Sequence, residues 1–361
     1  MIFVLRQLLE KSREQRKDLY IAFIDLSKAF DTINPEILWK QLSKLGVPPK
    51  FLSILQQLHD GMQARVLTGG LQSESFKVDV GVKQGCVLAL VLFSLLLSAI
   101  THLFHHALGH RDGVHLEYRL DGSLFNIRQL QAHTKTKTCQ IFELQYADDC
   151  AVLAHSPESM QHALNTISGL YQSFGLQVNI QKTEVMVQFT IQPPSPPAYK
   201  SMVFHLNRRV FENKNLKIST KVATYNAVCA STLLYGAETW TPYRRHITNL
   251  EAFHIQCLQK ILGLSGEDRI PHTEILSMTN SICMEAAVAK KHLRWIGHTI
   301  CMPDHRLPHQ ALYTAKRAAG GQKRRYKDYT KDLLKHCNIN STHLEPLTLD
   351  RSAWQVTCAR V

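Results

Sequence analysis

The sequence predicts an α+β fold over about the first 190 residues, followed by a mainly helical region. The first observation is an alternation of short, strand-like apolar runs with amphipathic helical segments. The second is "IQPPSPPAYK" at 191–200, whose four prolines in ten residues mark a boundary or linker. The third is the helical periodicity beyond that stretch, as at 243–262, where apolar side chains recur on one face.

Composition limits the classes of protein to which the chain can belong. With 361 residues, 45% of them hydrophobic and 20% charged, the chain is suited to two or three globular domains. The formal net charge of +13 favours polyanionic partners, nucleic acid first and an anionic membrane second. An ordinary basic protein without such a partner is the alternative.

The cysteines and the apolar segments bear on location. Nine cysteines are scattered without a C-x-x-C pair, which argues against a zinc knuckle and a secreted disulfide framework. We therefore expect an intracellular protein, nuclear or cytoplasmic and not secreted. Residues 1–18 indicate an amphipathic helix, not a signal peptide. The apolar run at 87–104 is shorter than a bilayer requires, so we expect a buried helix at 85–108 and no membrane partner.

The elements of the first half follow from local patterns. Asn34 is placed to cap a helix that opens with proline. Gly69-Gly70 separates two short strands, and Asp121-Gly122 supplies the turn of a hairpin in "VHLEYRLDGSLFNIRQL". The other predicted elements are helices at 35–44, 49–59 and 156–175, and strands beside the Asp-Asp pair of "YADD" and at 176–189.

Two adjacent acids, Asp148 and Asp149, interrupt the strand-like run "LQYADDCAVLA" at 144–154. A third acid, Asp25, lies at the end of a buried strand predicted at 18–26. If the adjacent acids lie at a hairpin turn beside that strand, the three carboxylates meet at one sheet edge and require cations. Hard divalent ions suit such oxygen ligands, and two Mg²⁺ ions suit phosphoryl chemistry. A solvated Asp-Asp turn is the alternative.

Four stretches, in order along the chain, resemble the motifs of one family. They are "FIDLSKAFDTI", "GVKQGCVLALVLFSLLLS", "YADDCAVLA" and "FGLQVNIQKTEVM". The chain resembles the reverse transcriptases of non-LTR (LINE-type) retrotransposons, and "HLRWIGHTICMPDHRLPHQALY" resembles the region that these elements carry beyond the palm. The resemblance implies an RNA-directed DNA polymerase with a palm-like antiparallel sheet. It also implies two Mg²⁺ ions, an RNA template, a DNA primer and deoxynucleoside triphosphates as cofactors and partners.

The resemblance implies catalytic roles position by position. Asp25 and Asp148 match the main metal ligands, and Asp149 matches the second carboxylate of the catalytic hairpin. Lys182 matches the lysine that protonates or neutralises the pyrophosphate leaving group. A solvated surface charge is the alternative for this lysine.

Other matched positions concern the nucleotide and the primer. Phe30 matches the aromatic residue that crowds the sugar 2′-carbon and rejects ribonucleotides. Gln84 and Gly85 match the loop that packs on the incoming nucleotide and the template base. Tyr146 matches the residue that presses against the primer end. The alternatives are core packing for Phe30, a helix-start turn for the glutamine and glycine, and strand packing for Tyr146.

Departures from the family pattern indicate a fragment or decayed copy. Only 24 residues precede Asp25, so we expect the fingers and an endonuclease domain to be absent. Leu90 stands where the family generally has proline, and no Tyr-Leu-Gly motif follows Lys182. We therefore expect weak or no polymerase activity. The predicted domains are a palm-like domain at 1–190, a linker at 191–215, a helical thumb-like and nucleic-acid-binding region at 216–335, and a tail at 336–361.

Two further interpretations remain open beside a polymerase, namely a non-catalytic nucleic-acid-binding protein and a helical interaction module. The first of these depends on residues 290–335, which contain twelve Lys or Arg against three Asp. Aromatic residues among such charges can stack on unpaired bases. The residues expected to bind nucleic acid are Lys290, Lys291, Arg294, Trp295, Lys323, Arg324, Arg325, Tyr326 and Lys327. Anchoring of a helix in a core is the alternative for Trp295.

Overall fold

The predicted α+β fold is confirmed, since helices and short antiparallel strands alternate in the first part of the chain and helices fill the second. The computed structural model describes residues 1–82, 86–121, 124–125, 135–189, 211, 213, 215–264, 268–314 and 324–360. The elements of the first part are α1 (Ile2–Gln15), β1 (Leu19–Ile24), α2 (Pro35–Lys44), α3 (Pro49–His59), β2 (Gln63–Ala64), β3 (Leu67–Thr68), β4 (Leu71–Gln72), β5 (Phe76–Lys77), α4 (Val87–Ala107), β6 (Val114–Tyr118), β7 (Lys137–Ile141), β8 (Glu143–Tyr146), β9 (Asp149–Ala154), α5 (Pro157–Ser173) and β10 (Glu184–Gln188).

The second part consists of helices, which begin after residue 215. They are α6 (Ile218–Thr224), a π-helical turn (Tyr225–Ala230), α7 (Ser231–Leu233), α8 (Arg244–Leu262), α9 (His272–Met278), α10 (Met284–Ile300), α11 (Leu307–Leu312), α12 (Tyr326–His336), α13 (Leu344–Leu349) and α14 (Arg351–Ala359). The apolar stripe predicted at 243–262 lies on α8, where Leu258 and Ile261 are buried.

The chain divides into two compact units. The first unit comprises residue 1 and residues 15–116 and 138–191, and the second comprises residues 2–14, 117–137 and 192–361. Apart from its last residue, α1 therefore belongs to the second unit. There the Phe3 ring packs edge-on against Trp295 and Tyr326, with centroids 5.5 and 5.1 Å apart.

A four-stranded antiparallel sheet forms the centre of the first unit. Its strand order is β10–β1–β9–β8, so β1 lies inside the sheet and β10 at its edge. Ile21 pairs with Met186 on one side and with Leu153 on the other. Ile21 and Leu153 are fully buried, as expected for the continuous apolar run that predicted this strand.

Helix α4 covers part of this sheet core with one of its faces. Leu92, Phe93, Leu96 and Phe104 are buried in the same apolar cluster as Val152 of β9. Other α4 side chains are exposed, among them Leu90, at the position where the resemblance implies proline. The helix is long and apolar enough to cross a membrane, but a core helix passes the same test. The absence of a membrane partner therefore stays a prediction.

Local capping and turn chemistry agree with the sequence. The Asn34 carboxamide oxygen accepts hydrogen bonds from the main-chain N–H groups of Glu36 and Ile37, at 2.9 and 3.4 Å. These bonds satisfy donors at the start of α2 that have no partner within the helix. Gly69 and Gly70 have positive φ angles of 55° and 83° between the paired strands β3 and β4, as the predicted turn requires.

The strand after α4 pairs differently from the hairpin predicted at Asp121-Gly122. Strand β6 is present, but its partner is β7, which lies beyond the second arm of the predicted hairpin. Gly113 makes this approach possible, because a Cβ atom there would lie 2.6 Å from the carbonyl oxygen of Ile141. The absence of a side chain at Gly113 thus permits the close main-chain approach to the end of β7. Gly122 and most of the second predicted arm lie outside the described residues.

Candidate active site

The register of β1 and β9 brings the predicted catalytic acids to one edge of the sheet. Ile24, the last residue of β1, lies opposite Cys150. Continuing this antiparallel register by one residue places Asp25 opposite Asp149. Tyr146 pairs with Asp149 to close the β8–β9 hairpin, so Asp148 lies in its turn. The backbone arrangement is the one that the sequence predicted.

The hairpin turn holds an unusual conformation. Ala147 has a φ of 53°, in the left-handed region that residues with a Cβ rarely adopt. This conformation costs roughly 1–2 kcal/mol for a residue other than glycine. Asp148 and Asp149 are both exposed beside it. Neither carboxylate forms a hydrogen bond or ion pair with the part of the chain that the structure describes, so both can accept a ligand from solvent.

Asp25 is held from the side of β10 by the segment that precedes this strand. The main-chain N–H of Asn179 donates to the carbonyl oxygen of Asp25 at 2.8 Å. The N–H of Asp25 donates to the Thr183 hydroxyl oxygen at 3.3 Å. The Lys182 ammonium lies 3.8 Å from the Asp25 carboxylate, so the predicted proton donor and the predicted metal ligand are neighbours.

The side chains do not assemble a metal site in the described ranges, where no group of three or more His, Cys, Asp or Glu is placed to hold an ion. The convergence of Asp25, Asp148 and Asp149 is therefore seen in the backbone register and not in the carboxylates. The donor chemistry nevertheless fits hard divalent cations, because all three are carboxylates and the adjacent pair is exposed.

Phe30 packs as a core aromatic and also faces the loop that precedes the Gln-Gly motif. Its ring centroid lies 4.6 Å from that of Phe93 on α4. Its carbonyl oxygen accepts a hydrogen bond from the N–H of Val82 at 2.8 Å. Gly81 makes this contact possible, because a Cβ atom there would lie 2.7 Å from the same oxygen. Both interpretations of Phe30 remain open, and Gln84 and Gly85 lie outside the described residues.

Tyr146 does not pack within the sheet, since 70% of its surface is exposed. The strand-packing alternative for this residue is therefore wrong. Its ring lies at the end of β8, directly before the turn that carries the adjacent acids. An exposed aromatic side chain in this place agrees with, but does not test, the contact to a primer end that the family resemblance implies.

Four of the nine residues predicted to bind nucleic acid serve the core of the second unit instead. Tyr326 is only 1% exposed, so the prediction that its ring stacks on bases is wrong. Trp295 packs on Phe3, as its core-anchor alternative predicted. Arg325 is buried and forms an ion pair with Glu14 at 2.6 Å. The ammonium of Lys327 donates to the carbonyl oxygen of Leu124 at 3.1 Å.

The remaining basic residues differ in their engagement. Arg324 donates to the carboxylate of Asp332 at 2.7 Å and stacks on the Tyr329 ring at 4.9 Å. Lys291 donates to a carbonyl oxygen at the end of α7. Arg294 is exposed on α10 and Lys290 is partly exposed, so both stay predicted contacts. Lys323 lies outside the described residues.

Sequence reasoning missed the residues that hold these groups in place. Asn179 and Thr183 fix the main chain of Asp25, yet their only signal was an Asn and a Thr flanking the motif lysine in "NIQKT". Glu14 lies in the first helix, 311 positions before Arg325 in sequence. No local pattern links an acid in an amphipathic helix to a basic residue that distant.

Comparison with known proteins agrees with the motifs. Residues 3–300 match the protein family described as "Reverse transcriptase (RNA-dependent DNA polymerase)". The chain is 25% identical over 195 residues to the "Retrovirus-related Pol polyprotein from type-2 retrotransposable element R2DM" of Drosophila melanogaster, covering 54% of this chain and 16% of that protein. It is 22% identical over 199 residues to the R2 Pol polyprotein of Popillia japonica, covering 55% and 29%. The chain thus spans less than a third of the length of these relatives.

The similarity of this chain to solved structures is weak. An apo telomerase from Candida tropicalis, truncated from its C-terminal domain, superposes with a TM-score of 0.37 at 17% identity, covering 51% of this chain and 33% of that one. The telomerase of the same organism with a fragment of telomeric RNA gives 0.34 at 14% identity, covering 87% and 51%. With scores this low, the assignment rests on sequence. The chain belongs to the reverse transcriptase (RNA-dependent DNA polymerase) family, and its relatives are those of non-LTR retrotransposons.

Proposed function

We propose that the β1–β9 edge is the catalytic site of an RNA-directed DNA polymerase and that Asp25, Asp148 and Asp149 bind two Mg²⁺ ions there. Reverse transcriptases generally use divalent metal ions. The observation that carries the proposal is the register of Ile24 opposite Cys150, which extends to Asp25 opposite Asp149. The substrates are an RNA template, a DNA primer and deoxynucleoside triphosphates, and the place of action is nuclear or cytoplasmic.

The residues of the site divide the chemistry between them. Asp25, Asp148 and Asp149 would hold the metal ions, which would supply activation of the primer hydroxyl for in-line attack at phosphorus and stabilisation of the leaving oxygen. Lys182 neutralises or protonates the pyrophosphate, and its position beside Asp25 supports this role. Phe30 limits the space at the sugar 2′-carbon, and Tyr146 contacts the primer end. Gln84 and Gly85 retain the nucleotide-contact role that the resemblance implies.

The isolated chain should show low activity. The carboxylates of Asp25, Asp148 and Asp149 are not grouped to hold an ion in the described residues, and a misplacement of about 1 Å in such a site costs on the order of 100-fold in rate. Metal binding is therefore the more direct measurement. It does not depend on a complete primer-binding surface, so it tests the proposed ligands even where turnover is slow.

The decisive experiment measures binding of Mn²⁺, as a probe for Mg²⁺, by electron paramagnetic resonance of the free ion. We expect Asp25→Asn and Asp148→Asn each to weaken binding at least about tenfold, because each removes a charged oxygen ligand. Glu74→Gln, at an exposed acid of the same unit, should bind as the wild type does. Equal affinities in all four proteins would refute the proposed ligands.

A primer-extension assay provides the second arm. With Mg²⁺, an RNA template and a DNA primer, we expect weak extension that disappears in Asp148→Asn and persists in Glu74→Gln. Extension that survives Asp148→Asn would show that the activity arises elsewhere. Tight Mn²⁺ binding without detectable extension would support the metal ligands and restrict the proposal to a site that lacks turnover in this chain.

A further inference from the structure

The main chain of Asp25 lies just beyond the last residue of β1 that pairs with β9 and β10, which is Ile24 on one side and Phe23 on the other. Its N–H and C=O groups therefore need partners outside the strand ladders. Both find them in one short segment. The N–H donates to the Thr183 hydroxyl oxygen at 3.3 Å, and the C=O accepts from the N–H of Asn179 at 2.8 Å.

The segment 177–183 is itself fastened to the chain that follows Asp25. The N–H of Ser27 donates to the carbonyl oxygen of Gln177 at 2.8 Å, and Leu26 forms a β-bridge with Val178. Strand β10 begins directly after Thr183, and its first residue pairs with Phe23. The segment is thus attached to β1 before and after the turn, which limits its freedom to shift as a whole.

The turn inside the segment sets the position of Lys182. The carbonyl oxygen of Asn179 accepts from the N–H groups of Lys182 and Thr183, at 3.2 and 2.9 Å. The lysine consequently projects from a hydrogen-bonded turn whose next residue holds Asp25. The Lys182 ammonium lies 3.8 Å from the Asp25 carboxylate.

We propose that Thr183 is a positioning residue whose hydroxyl, with the main chain of Asn179, fixes Asp25 at the metal-binding edge and keeps Lys182 beside it. This inference rests on the proposed function of the edge. Only a side chain with an acceptor oxygen on Cβ can serve at position 183. Serine preserves that oxygen, whereas valine preserves the shape of threonine and removes the acceptor.

The test compares Thr183→Val with Thr183→Ser, and uses Thr68→Val on the exposed strand β3 as the matched control. The first readout is hydrogen exchange at the amide of Asp25, followed by NMR. We expect exchange to be roughly tenfold faster in Thr183→Val, because the amide loses its acceptor. It should be restored in Thr183→Ser and unchanged in Thr68→Val.

The second readout is Mn²⁺ affinity of the same proteins, together with their thermal unfolding. We expect Thr183→Val to bind Mn²⁺ several-fold more weakly while its melting temperature stays near that of Thr183→Ser. A structural role alone would lower the melting temperature and leave the affinity of the folded protein unchanged. Rescue of the affinity by serine would support the role of the hydroxyl oxygen.

The failure of this inference is distinguishable from the failure of the proposed function. Unchanged exchange at Asp25 in Thr183→Val would overturn the positioning role and leave the metal ligands standing. The same holds for faster exchange with an unchanged Mn²⁺ affinity, provided that Asp25→Asn still abolishes binding. A wild-type chain that binds no Mn²⁺ would overturn the proposed function, and the positioning role with it.

Discussion

Glu14 and Arg325 form an ion pair of 2.6 Å in which the side chains are only 13% and 8% exposed. Lys11 lies 3.3 Å from the same carboxylate and is also buried. Burial raises the pKa of Glu14 despite the attraction of Lys11 and Arg325. The cost of removing the carboxylate from water therefore exceeds its electrostatic stabilisation by these two cations. The pair is retained at a cost, and removal of Glu14 takes a shared carboxylate from both Arg325 and Lys11.

We expect Glu14→Gln to destabilise the second unit by about 3 kcal/mol or more, because two buried cations lose their shared carboxylate. Arg325→Met should cost less, since Lys11 still pairs with Glu14. Urea unfolding of the three proteins measures both values. Glu285→Gln is the matched control, because its partner Arg244 and Glu285 itself are exposed, and it should change stability by less than about 1 kcal/mol.

Lys327 should make stability depend on alkaline pH. Burial, followed by repulsion from Lys11, lowers its pKa from 10.5 to about 7. Between these values the unfolded chain binds more protons than the folded one, so stability rises with pH from about 7 to 10.5. The slope approaches about 1.4 kcal/mol per pH unit at most.

Lys327→Met should remove this rise in stability, as measured by chemical unfolding at several pH values between 7 and 10. Lys331→Met on the same helix serves as the control, because Lys331 is exposed. A wild-type stability that stays flat over the window would contradict the lowered pKa. A rise of the same size in Lys327→Met would assign the effect to another group.

His292 should make the stability of the same unit depend on pH in the acid range. It is fully buried, with Nε2 2.8 Å from the Thr330 hydroxyl, and burial lowers its pKa from 6.5 to about 3. Below pH 6.5 the unfolded chain takes up a proton that the folded chain refuses, so stability falls as pH drops towards 3. We expect stability to depend less on acid pH in His292→Gln. Its melting temperature should fall less between pH 7 and pH 5 than that of the wild type. An equal loss in both proteins would exclude this histidine as the cause.

The part of the site that sequence could predict is local. An apolar run ending in Asp25, and an Asp-Asp pair between strand-forming residues, sufficed to predict a strand end beside a hairpin turn. The register itself could not be predicted from alternation, because all residues of β9 from Cys150 to Ala154 are buried, so a shift by one residue would only exchange one buried face for the other. The order of the motifs along the chain then indicated which chemistry these acids perform in the family.

The rest could not be predicted, because it depends on contacts between distant residues. The basic cluster at 324–327 satisfied the pattern of a nucleic-acid surface, yet Arg325 and Lys327 find partners in the first helix and at Leu124. The composition of a segment gives the number of its basic residues but does not reveal whether distant acidic residues pair with them. The pairing of β6 with β7 likewise involves the close approach at Gly113, which no alternation pattern reveals.

Phe30→Val should weaken discrimination against ribonucleotides, since a smaller side chain leaves room for the 2′-hydroxyl. We expect the preference for deoxynucleotides in Mg²⁺-dependent primer extension to fall roughly tenfold or more. The contact with Phe93 is also lost, so the first unit should become less stable by about 2 kcal/mol. Phe93→Leu is the control, because it disturbs the same contact from α4 and should leave discrimination intact. A preference that is unchanged in Phe30→Val would leave core packing as the role of this residue.

The last prediction concerns binding to single-stranded nucleic acid by the second unit. Each phosphate contact made by a basic side chain contributes about 0.7 to the slope of log affinity against log salt concentration. Arg294 is exposed on α10, whereas Arg324 donates to Asp332 and to the carbonyl oxygen of Pro242. We therefore expect Arg294→Gln to reduce the slope and Arg324→Gln to leave it nearly unchanged, as measured by fluorescence anisotropy with an unstructured RNA at several salt concentrations. The reverse order would mean that Arg324 leaves its intramolecular partners to bind phosphate, and identical slopes in both variants and the wild type would place the contacts on other residues.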